Sequence, residues 1–283
     1  MKPVKMNILG DVSNTDNTEF ELPTITGDES PQEMLDYMVL VLCRRLQTPK
    51  AFKGGYLLNQ LLNEKSRMTH DVDFSISDEQ GYEQVKSILT DIAECFKSAG
   101  LIMSYNVKPT ITSTSSGGID FYDATGAKIL GVDVGLHSLT WGITKYNFEI
   151  TDLDGFSIER MLSDKTIAIL SRKRFRRTKD LYDFWVITNN FDFDYQKLQD
   201  YIDLRGGADW DNIPFSDTIL IEYSKAWNKL VLQTPNGGVL QKPDFATVLE
   251  RFYYVALSIK GNENHTMWSH IKLQFIWLEH NDG

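Results

Sequence analysis

The stretch Gly54-Gly55, followed by Arg67-Met68-Thr69-His70-Asp71-Val72-Asp73-Phe74, decides how this chain is expected to fold. The two glycines follow a short apolar segment and open a helical run, and the second motif is predicted to form a strand. Strand side chains alternate between the two faces of a sheet. Asp71 and Asp73 should therefore project from one face, and the apolar residues between and after them from the other.

Two neighbouring carboxylates repel each other unless a cation lies between them, and Mg²⁺ both prefers oxygen ligands and binds phosphate. Glycines at a helix start leave backbone N–H groups open to phosphate oxygens. The same Asp-x-Asp spacing also occurs by chance, at Asp152/Asp154 beside Gly155, which is typical of a turn, and at Asp192/Asp194, which resembles a solvated connector. The upstream glycines and the apolar alternation favour Asp71 and Asp73 as the metal ligands of a nucleotidyl-transfer site.

At 283 residues the chain is long enough for two subdomains, and its net charge of −10 argues against a protein that coats nucleic acid. Its basic residues are concentrated in one segment, which contains Arg160, Lys165, Arg172, Lys173, Arg174, Arg176, Arg177 and Lys179. Such a run is either a solvated helix face or a surface that binds polyphosphate or an RNA backbone. Its position between other candidate site residues favours the second interpretation.

The sequence indicates a cytoplasmic protein that does not enter a membrane. No apolar stretch approaches the ~20 residues needed to span a bilayer. The segment Met1–Glu29 is polar and acidic and lacks an apolar signal core. Cys43 and Cys95 are the only cysteines, and both are predicted to be buried thiols without a disulfide.

Periodicity and end signals predict an α/β region followed by a helical region. Ser30, Pro31 and Glu33 form a capping box at the start of the first helix. The predicted helices are 30–48, 55–64, 79–99, 157–170, 178–189, 194–203, 215–232, 244–260 and 267–279. The predicted strands are 71–77, 101–108, 119–122 and 129–134, with a hairpin turn at 123–126 between the last two.

Five further acidic or basic positions, in three parts of the chain, complete the candidate site. Asp133 interrupts an apolar strand pattern, which indicates either a third carboxylate next to the Asp71 strand or a surface-facing residue. Lys165 and Arg172 are two helical turns apart on one face, and a lysine there is suited to neutralise triphosphate charge. Asp180 and Asp183 occupy the first turn of the next helix, either as site residues or as helix caps.

In this order, the motifs resemble the AbiEii-type nucleotidyltransferase family, toxins of type IV toxin–antitoxin and abortive-infection systems within the DNA polymerase β-like superfamily. The resemblance covers about residues 50 to 190. The matching stretches are Phe52-Lys53-Gly54-Gly55, Arg67 to Phe74, Val132-Asp133-Val134, and Lys165 through Arg172 to Arg177-x-x-Asp180-Leu181-Tyr182-Asp183.

The resemblance implies that Asp71 and Asp73 hold Mg²⁺, with Mn²⁺ as an alternative metal. It also implies that Gly54 and Gly55 receive the triphosphate of an NTP and that Lys165 contacts this triphosphate. Asp180 would be a further catalytic acid. The family usually has Ser or Thr where this chain has Tyr56, so phosphate contacts are expected from backbone amides or from Thr69. Arg172 is assigned to the nucleotide. Lys173, Arg174, Arg176 and Arg177 are assigned to the acceptor.

We therefore expect an α/β (α+β) nucleotidyltransferase domain with a small mixed sheet over residues 1–154, and a helical C-terminal domain over 155–283 that contributes Lys165 and Asp180. The expected activity is Mg²⁺-dependent transfer of an NMP to RNA, in particular tRNA, by a toxin with a cognate antitoxin. Three alternatives stay open: a small-molecule or protein acceptor, a non-catalytic nucleotide-binding relative, and a metal-dependent nuclease or phosphohydrolase.

Overall fold

The computed structural model describes residues 22–63, 66–171, 177–234, 237–261 and 267–276. The chain divides into two compact units. The first comprises Met1–Leu61 and Thr69–Gly155, and the second comprises Leu62–Met68 and Phe156–Gly283. The segment Leu62–Met68 thus packs with the C-terminal half, although it precedes the Asp71 strand. Among the described helices, none is both long enough and apolar enough to cross a bilayer.

The first unit is built on a mixed seven-stranded sheet. Its strands are β1 (Lys50–Lys53), β2 (Asp71–Ile76), β3 (Ser104–Lys108), β4 (Gly117–Tyr122), β5 (Lys128–Leu136), β6 (Ile143–Asn147) and β7 (Asp152–Phe156), in the order β3-β4-β5-β2-β1-β7-β6. Strand β2 pairs in parallel with β5 and antiparallel with β1. The predicted hairpin between β4 and β5 is confirmed, with the side chain of Asp123 accepting from two backbone amides of its turn.

Three helices accompany this sheet: α1 (Pro31–Arg45), α2 (Gly54–Leu61) and α3 (Gly81–Ala99). The predicted capping box at the start of α1 is confirmed. The amide of Glu33 donates to Ser30 Oγ at 3.3 Å, and the amide of Ser30 donates to Glu33 Oε2 at 2.7 Å. Helix α3 ends as predicted at Gly100, whose φ of 82° lies in the left-handed region that glycine accepts without strain.

One face of the sheet is apolar and is covered by α1 and α3, which contact each other and the central strands. Its fully buried side chains come from three adjacent strands and are Val72, Phe74, Ile119, Phe121, Val132 and Val134. Because strand side chains alternate, the opposite face carries the residues that lie between these apolar ones. That polar face holds the candidate site.

The described residues of the second unit form five α-helices, a short 3-10 helix (Trp210–Asn212) and a small antiparallel sheet. The helices are α4 (Ile158–Leu170), α5 (Thr178–Asn190), α6 (Tyr195–Leu204), α7 (Asp217–Lys229) and α8 (Phe245–Lys260). The strands are β8 (Phe193–Asp194), β9 (Met267–Ser269) and β10 (Gln274–Ile276), in the order β10-β9-β8. A predominantly helical C-terminal part is therefore confirmed, with a sheet that the sequence did not predict.

The helix predicted over 267–279 is wrong for its described part, which forms the β9–β10 hairpin. Trp268 and Phe275 are seven residues apart, a spacing that also suits two helical turns. In the hairpin they lie directly opposite each other with ring centroids 5.2 Å apart. Phe193 of β8 stacks on Trp268 at 5.6 Å. Packing of aromatic rings from a distant segment therefore decided the conformation.

Strands also contain Asp152 and Asp154 of the second Asp-x-Asp motif and Asp194 of the third. The predicted turn at Asp152/Asp154 is wrong: these side chains are the exposed positions of β7, which alternate with buried Leu153 and Gly155. The predicted connector at Asp192/Asp194 is wrong at its second residue. Asp194 ends β8 and caps α6, since its Oδ1 accepts from the amide of Lys197 at 3.0 Å.

Candidate active site

Three predicted site residues lie on the polar face of the first unit's sheet. Asp71 and Asp73 project from the same face of β2, and Asp133 of β5 is the direct register partner of Asp73. All three side chains are half-buried, while Val72 between the first two is fully buried. The register of the parallel β2–β5 pair therefore brings together carboxylates that are about sixty positions apart in the sequence.

Gly54, at the junction of β1 and α2, lies directly against Asp73. A Cβ atom at this position would come 2.3 Å from Asp73 Oδ2, and the glycine φ is +72°. Only glycine combines this backbone conformation with such a close approach. The first turn of α2 is therefore held next to the Asp73 carboxylate, with the buried Gly55 following it.

Further charged residues that the sequence analysis missed share this face. Asp120 of β4 is the register partner of Gly131, which in turn is the partner of Asp71. Lys128 Nζ lies 2.8 Å from Asp71 Oδ1 and 2.7 Å from Asp120 Oδ1. We call the set Asp71, Asp73, Asp120 and Asp133, with Lys108 and Lys128, the carboxylate face. The alternation of Asp120 with buried Ile119 and Phe121 was the available signal for it.

The lysines of the carboxylate face act as counter-ions. The Lys108 ammonium donates to Asp133 Oδ1. Burial alone would lower the pKa of Lys128, but Asp120 and Asp71 outweigh that effect and raise the pKa above its ordinary value. Lys128 is therefore positively charged at neutral pH.

The fit of this face to a divalent cation rests on Asp71 and Asp73. Across the part of the chain that the structure describes, no three His, Cys, Asp or Glu side chains are grouped so that they alone form a metal site. Mg²⁺ is commonly held by one or two carboxylates together with substrate phosphates and water, so a pair is sufficient. Asp71 Oδ1 is buried, and the Lys128 ammonium lies 2.8 Å from it, so this oxygen already faces a positive charge. The residues present therefore fit a hard cation.

Tyr56 and Thr69, two positions near the glycines, are engaged locally. The Tyr56 side chain is fully buried, and its hydroxyl donates to Asp36 Oδ1 at 2.8 Å. Tyr56 therefore packs in the core instead of replacing a phosphate-binding hydroxyl. Thr69 Oγ1 lies 3.2 Å from the backbone carbonyl of Asp71 and orders the chain that enters β2.

A buried ion cluster lies in the second unit, and two of its members are Lys165 and Asp180. Lys165 Nζ donates to Asp180 Oδ1 at 2.7 Å and to Asp183 Oδ2 at 2.8 Å. Asp183 also accepts two hydrogen bonds of 2.8 Å from the guanidinium of Arg67. The side chain of Arg177, at the N-cap position of α5, makes no cap hydrogen bond, and Asp180 in the first turn of the helix pairs with Lys165.

Burial and pairing act in opposite directions on the pKa values of this cluster. Burial alone would raise the pKa of Asp183, but Arg67 and Lys165 outweigh it and lower the pKa to about 2. Burial alone would lower the pKa of Lys165, but Asp183 and Asp180 raise it above its ordinary value. Two cations and two carboxylates thus hold α4, α5 and the 62–68 segment together as charged groups.

The predicted acceptor-binding segment is described only at its end. Arg172, Lys173, Arg174 and Arg176 lie outside the described residues. Arg177 precedes α5, with 49% of its side chain exposed, and its guanidinium is 3.6 Å from Asp180 Oδ2.

Comparisons with known proteins show the family and the fold. The model of the family described as "Nucleotidyl transferase AbiEii toxin, Type IV TA system" matches residues 41–251. Among solved structures, MenT4, a nucleotidyltransferase toxin of Mycobacterium tuberculosis, is 15% identical with a TM-score of 0.52, over 83% of this chain and 84% of that one. A putative nucleotidyltransferase of Helicobacter pylori is 15% identical with a TM-score of 0.48, over 83% and 97%. No curated protein matches the sequence.

Proposed function

The chain belongs to the AbiEii family of nucleotidyltransferase toxins, and we propose that it transfers an NMP from an NTP to a hydroxyl group of RNA. The proposed acceptor is tRNA in particular, and the proposed cofactor is Mg²⁺. In this reaction the acceptor oxygen bonds to the α-phosphorus while the bond to pyrophosphate breaks. As a member of a type IV family, the protein would be held inactive or counteracted by a cognate antitoxin.

The observation that carries this proposal is the placement of Asp71 and Asp73 on one sheet face, with Gly54 against Asp73. Asp71 and Asp73 would hold the metal, which when bound would stabilise the negative charge of the phosphoryl group being transferred. The backbone amides of Gly54 and Gly55 would receive triphosphate oxygens at the start of α2. Asp133 would join as a third ligand by exchanging its contact with Lys108.

Lys165 and Asp180 are proposed to act on the triphosphate and as a further acid, respectively. The proposed role of Lys165 has an energetic cost that follows from its ion pairs. The Lys165 ammonium already holds two carboxylates, so a contact with a phosphate oxygen requires it to exchange one of them. Arg172 is proposed to support the nucleotide, and Lys173, Arg174, Arg176 and Arg177 the RNA backbone, because phosphate contacts by Arg and Lys dominate RNA affinity.

The test combines purified protein, each labelled NTP, Mg²⁺ and total RNA. Asp71→Asn with Asp73→Asn should reduce transfer by about 100-fold or more, because the metal-binding charges are lost while the side-chain shapes are kept. The matched control is Asp152→Asn with Asp154→Asn, the same motif on exposed positions of β7. The control should retain full activity and both variants should keep the wild-type melting temperature.

Each alternative has its own outcome in this experiment. Label that appears on a small molecule or a protein instead of RNA would change the acceptor but keep the reaction. RNA or phosphate-ester cleavage without NTP would indicate a nuclease or phosphohydrolase. NTP binding without any transfer would indicate a non-catalytic relative, and full transfer by the Asp71/Asp73 double variant would overturn the metal assignment.

A further inference from the structure

The carboxylate face contains a cation position that is built into three adjacent strands. Asp71 of β2, Gly131 of β5 and Asp120 of β4 are consecutive register partners across the sheet. Two carboxylates thus flank a residue that has no side chain. The Lys128 ammonium occupies the space above Gly131, 2.8 Å from Asp71 Oδ1 and 2.7 Å from Asp120 Oδ1.

Gly131 is what makes this space available. A Cβ atom added to Gly131 would lie 2.7 Å from Asp71 Oδ1 and 2.8 Å from Lys128 Nζ, closer than such atoms approach one another. The backbone of Gly131 lies in the regular β5 ladder, so no unusual dihedral angle requires glycine here. The requirement comes from the bridge itself, which fills the volume that a side chain would take.

Both carboxylates are sheltered enough for this bridge to matter. Asp120 has only 17% of its side chain exposed, and the Asp71 side chain is 37% exposed but has its Oδ1 atom buried. Ion pairs between sheltered groups are screened less by water and salt than those at a fully exposed surface. A divalent metal bound through Asp71 Oδ1 would compete with the ammonium for that oxygen, because the two positive charges repel each other.

On the premise of the proposed function, we propose that Lys128 is a resident counter-ion that sets the metal affinity of Asp71. Lys128 must release Asp71 Oδ1 before a divalent cation binds there, and Asp120 retains the ammonium when it does. Asp120 therefore makes the release less costly, while Lys128 keeps Asp71 neutralised until metal arrives. Both are positioning residues for the metal, and neither is assigned contact with the NTP.

The experiment measures Mn²⁺ binding to the metal-free, full-length protein without NTP, by the electron paramagnetic resonance signal of free Mn²⁺. Lys128→Met keeps the aliphatic stem but removes the competing charge, so it should bind Mn²⁺ about 10-fold more tightly than the wild type. Lys97→Met makes the same change in net charge at an exposed position on α3 and should stay within about twofold of the wild type.

A second variant tests the part played by Asp120. In Asp120→Asn the ammonium keeps only Asp71 as a charged partner, so Mn²⁺ should bind more weakly than in the wild type. Glu79→Gln makes the same charge change at an exposed position and serves as its control. An affinity that moves equally in Asp120→Asn and Glu79→Gln would overturn the role of Asp120.

Failure of this inference and failure of the proposed function give different results. Equal Mn²⁺ affinity in Lys128→Met and the wild type, with binding lost in the Asp71/Asp73 double variant, would overturn the counter-ion role and leave the metal assignment standing. Binding in Lys128→Met that is no stronger than in the Asp71/Asp73 double variant would overturn both. A loss of melting temperature in Lys128→Met that added Mn²⁺ does not restore would also contradict the proposal.

Discussion

At the scale of single residues, Lys165 shows how a side chain predicted for substrate binding is also part of the folded core. Only 15% of its side chain is exposed, and its ammonium is shared between Asp180 and Asp183. Removal of one partner from a buried ion pair leaves the other charge uncompensated. The resulting loss of stability exceeds the net stabilisation that the intact pair provides. Loss of activity in a Lys165 variant therefore has two physical explanations that must be separated.

We predict that Lys165→Met lowers the free energy of unfolding by about 3 kcal/mol, measured by urea denaturation. Lys225→Met, the same change at an exposed position on α7, should change it by less than about 0.5 kcal/mol. Adding Asp180→Asn to Lys165→Met should recover part of the lost stability, because one uncompensated carboxylate is then removed. Such a recovery would identify the uncompensated charge as the cause of the lost stability, and no loss of stability in Lys165→Met would contradict the ion-cluster role.

At the scale of elements, the β9–β10 hairpin depends on an aromatic cluster more than on its own short strands. Isolated two-stranded hairpins are marginally stable in water. Here Phe275 contacts four aromatic rings at centroid distances between 5.2 and 6.1 Å, those of Phe193, Tyr195, Tyr254 and Trp268. The hairpin therefore owes its position to burial of Phe275, which is 7% exposed.

Phe275→Ala should accordingly destabilise the protein by about 3 kcal/mol, through lost apolar burial and the cavity that remains. The measurement is urea unfolding followed by tryptophan fluorescence, to which Trp268 contributes. Ile271→Ala, in the turn of the same hairpin, removes a side chain that is 82% exposed and should have almost no effect. Equal effects of the two substitutions would mean that the hairpin does not depend on the cluster.

At the scale of the whole molecule, the net charge of −10 hides an internal pairing of opposite charges in both units. The carboxylate face has lysines between its acids, and the buried cluster of the second unit balances Arg67 and Lys165 against Asp180 and Asp183. Stability should therefore respond to pH through those carboxylates whose pKa differs most between the folded and unfolded chain.

Asp183 provides the clearest pH prediction. Its folded pKa of about 2 is below its unfolded value near 3.9, so its stabilisation is complete above about pH 5 and is lost as the pH falls toward 2. The raised pKa of Lys165 acts only at alkaline pH and does not interfere in this window. The free energy of unfolding of the wild type should exceed that of Asp183→Asn by a constant amount above pH 5. The difference should shrink by about 2 kcal/mol on acidification, and a difference independent of pH would contradict the assignment.

Local sequence patterns determined those features that depend on neighbouring residues. The alternation around Val72 placed Asp71 and Asp73 on one face. The capping box of Ser30 and Glu33 marked the start of α1, and Gly100 marked the end of α3. All three features depend on dihedral preferences and hydrogen bonds that act within a few positions. The roles that follow from the family stay proposals for Lys165, Asp180 and the basic segment.

Only the tertiary structure decided which distant residues meet. The β2–β5 and β5–β4 registers place Asp133 beside Asp73 and Asp120 across Gly131 from Asp71, and Arg67 reaches Asp183 over 116 positions. The β9–β10 hairpin replaced a predicted helix for the same reason. Strand register and ion pairing are set by the summed packing of whole sheets and helices, and no local window of the sequence contains that sum.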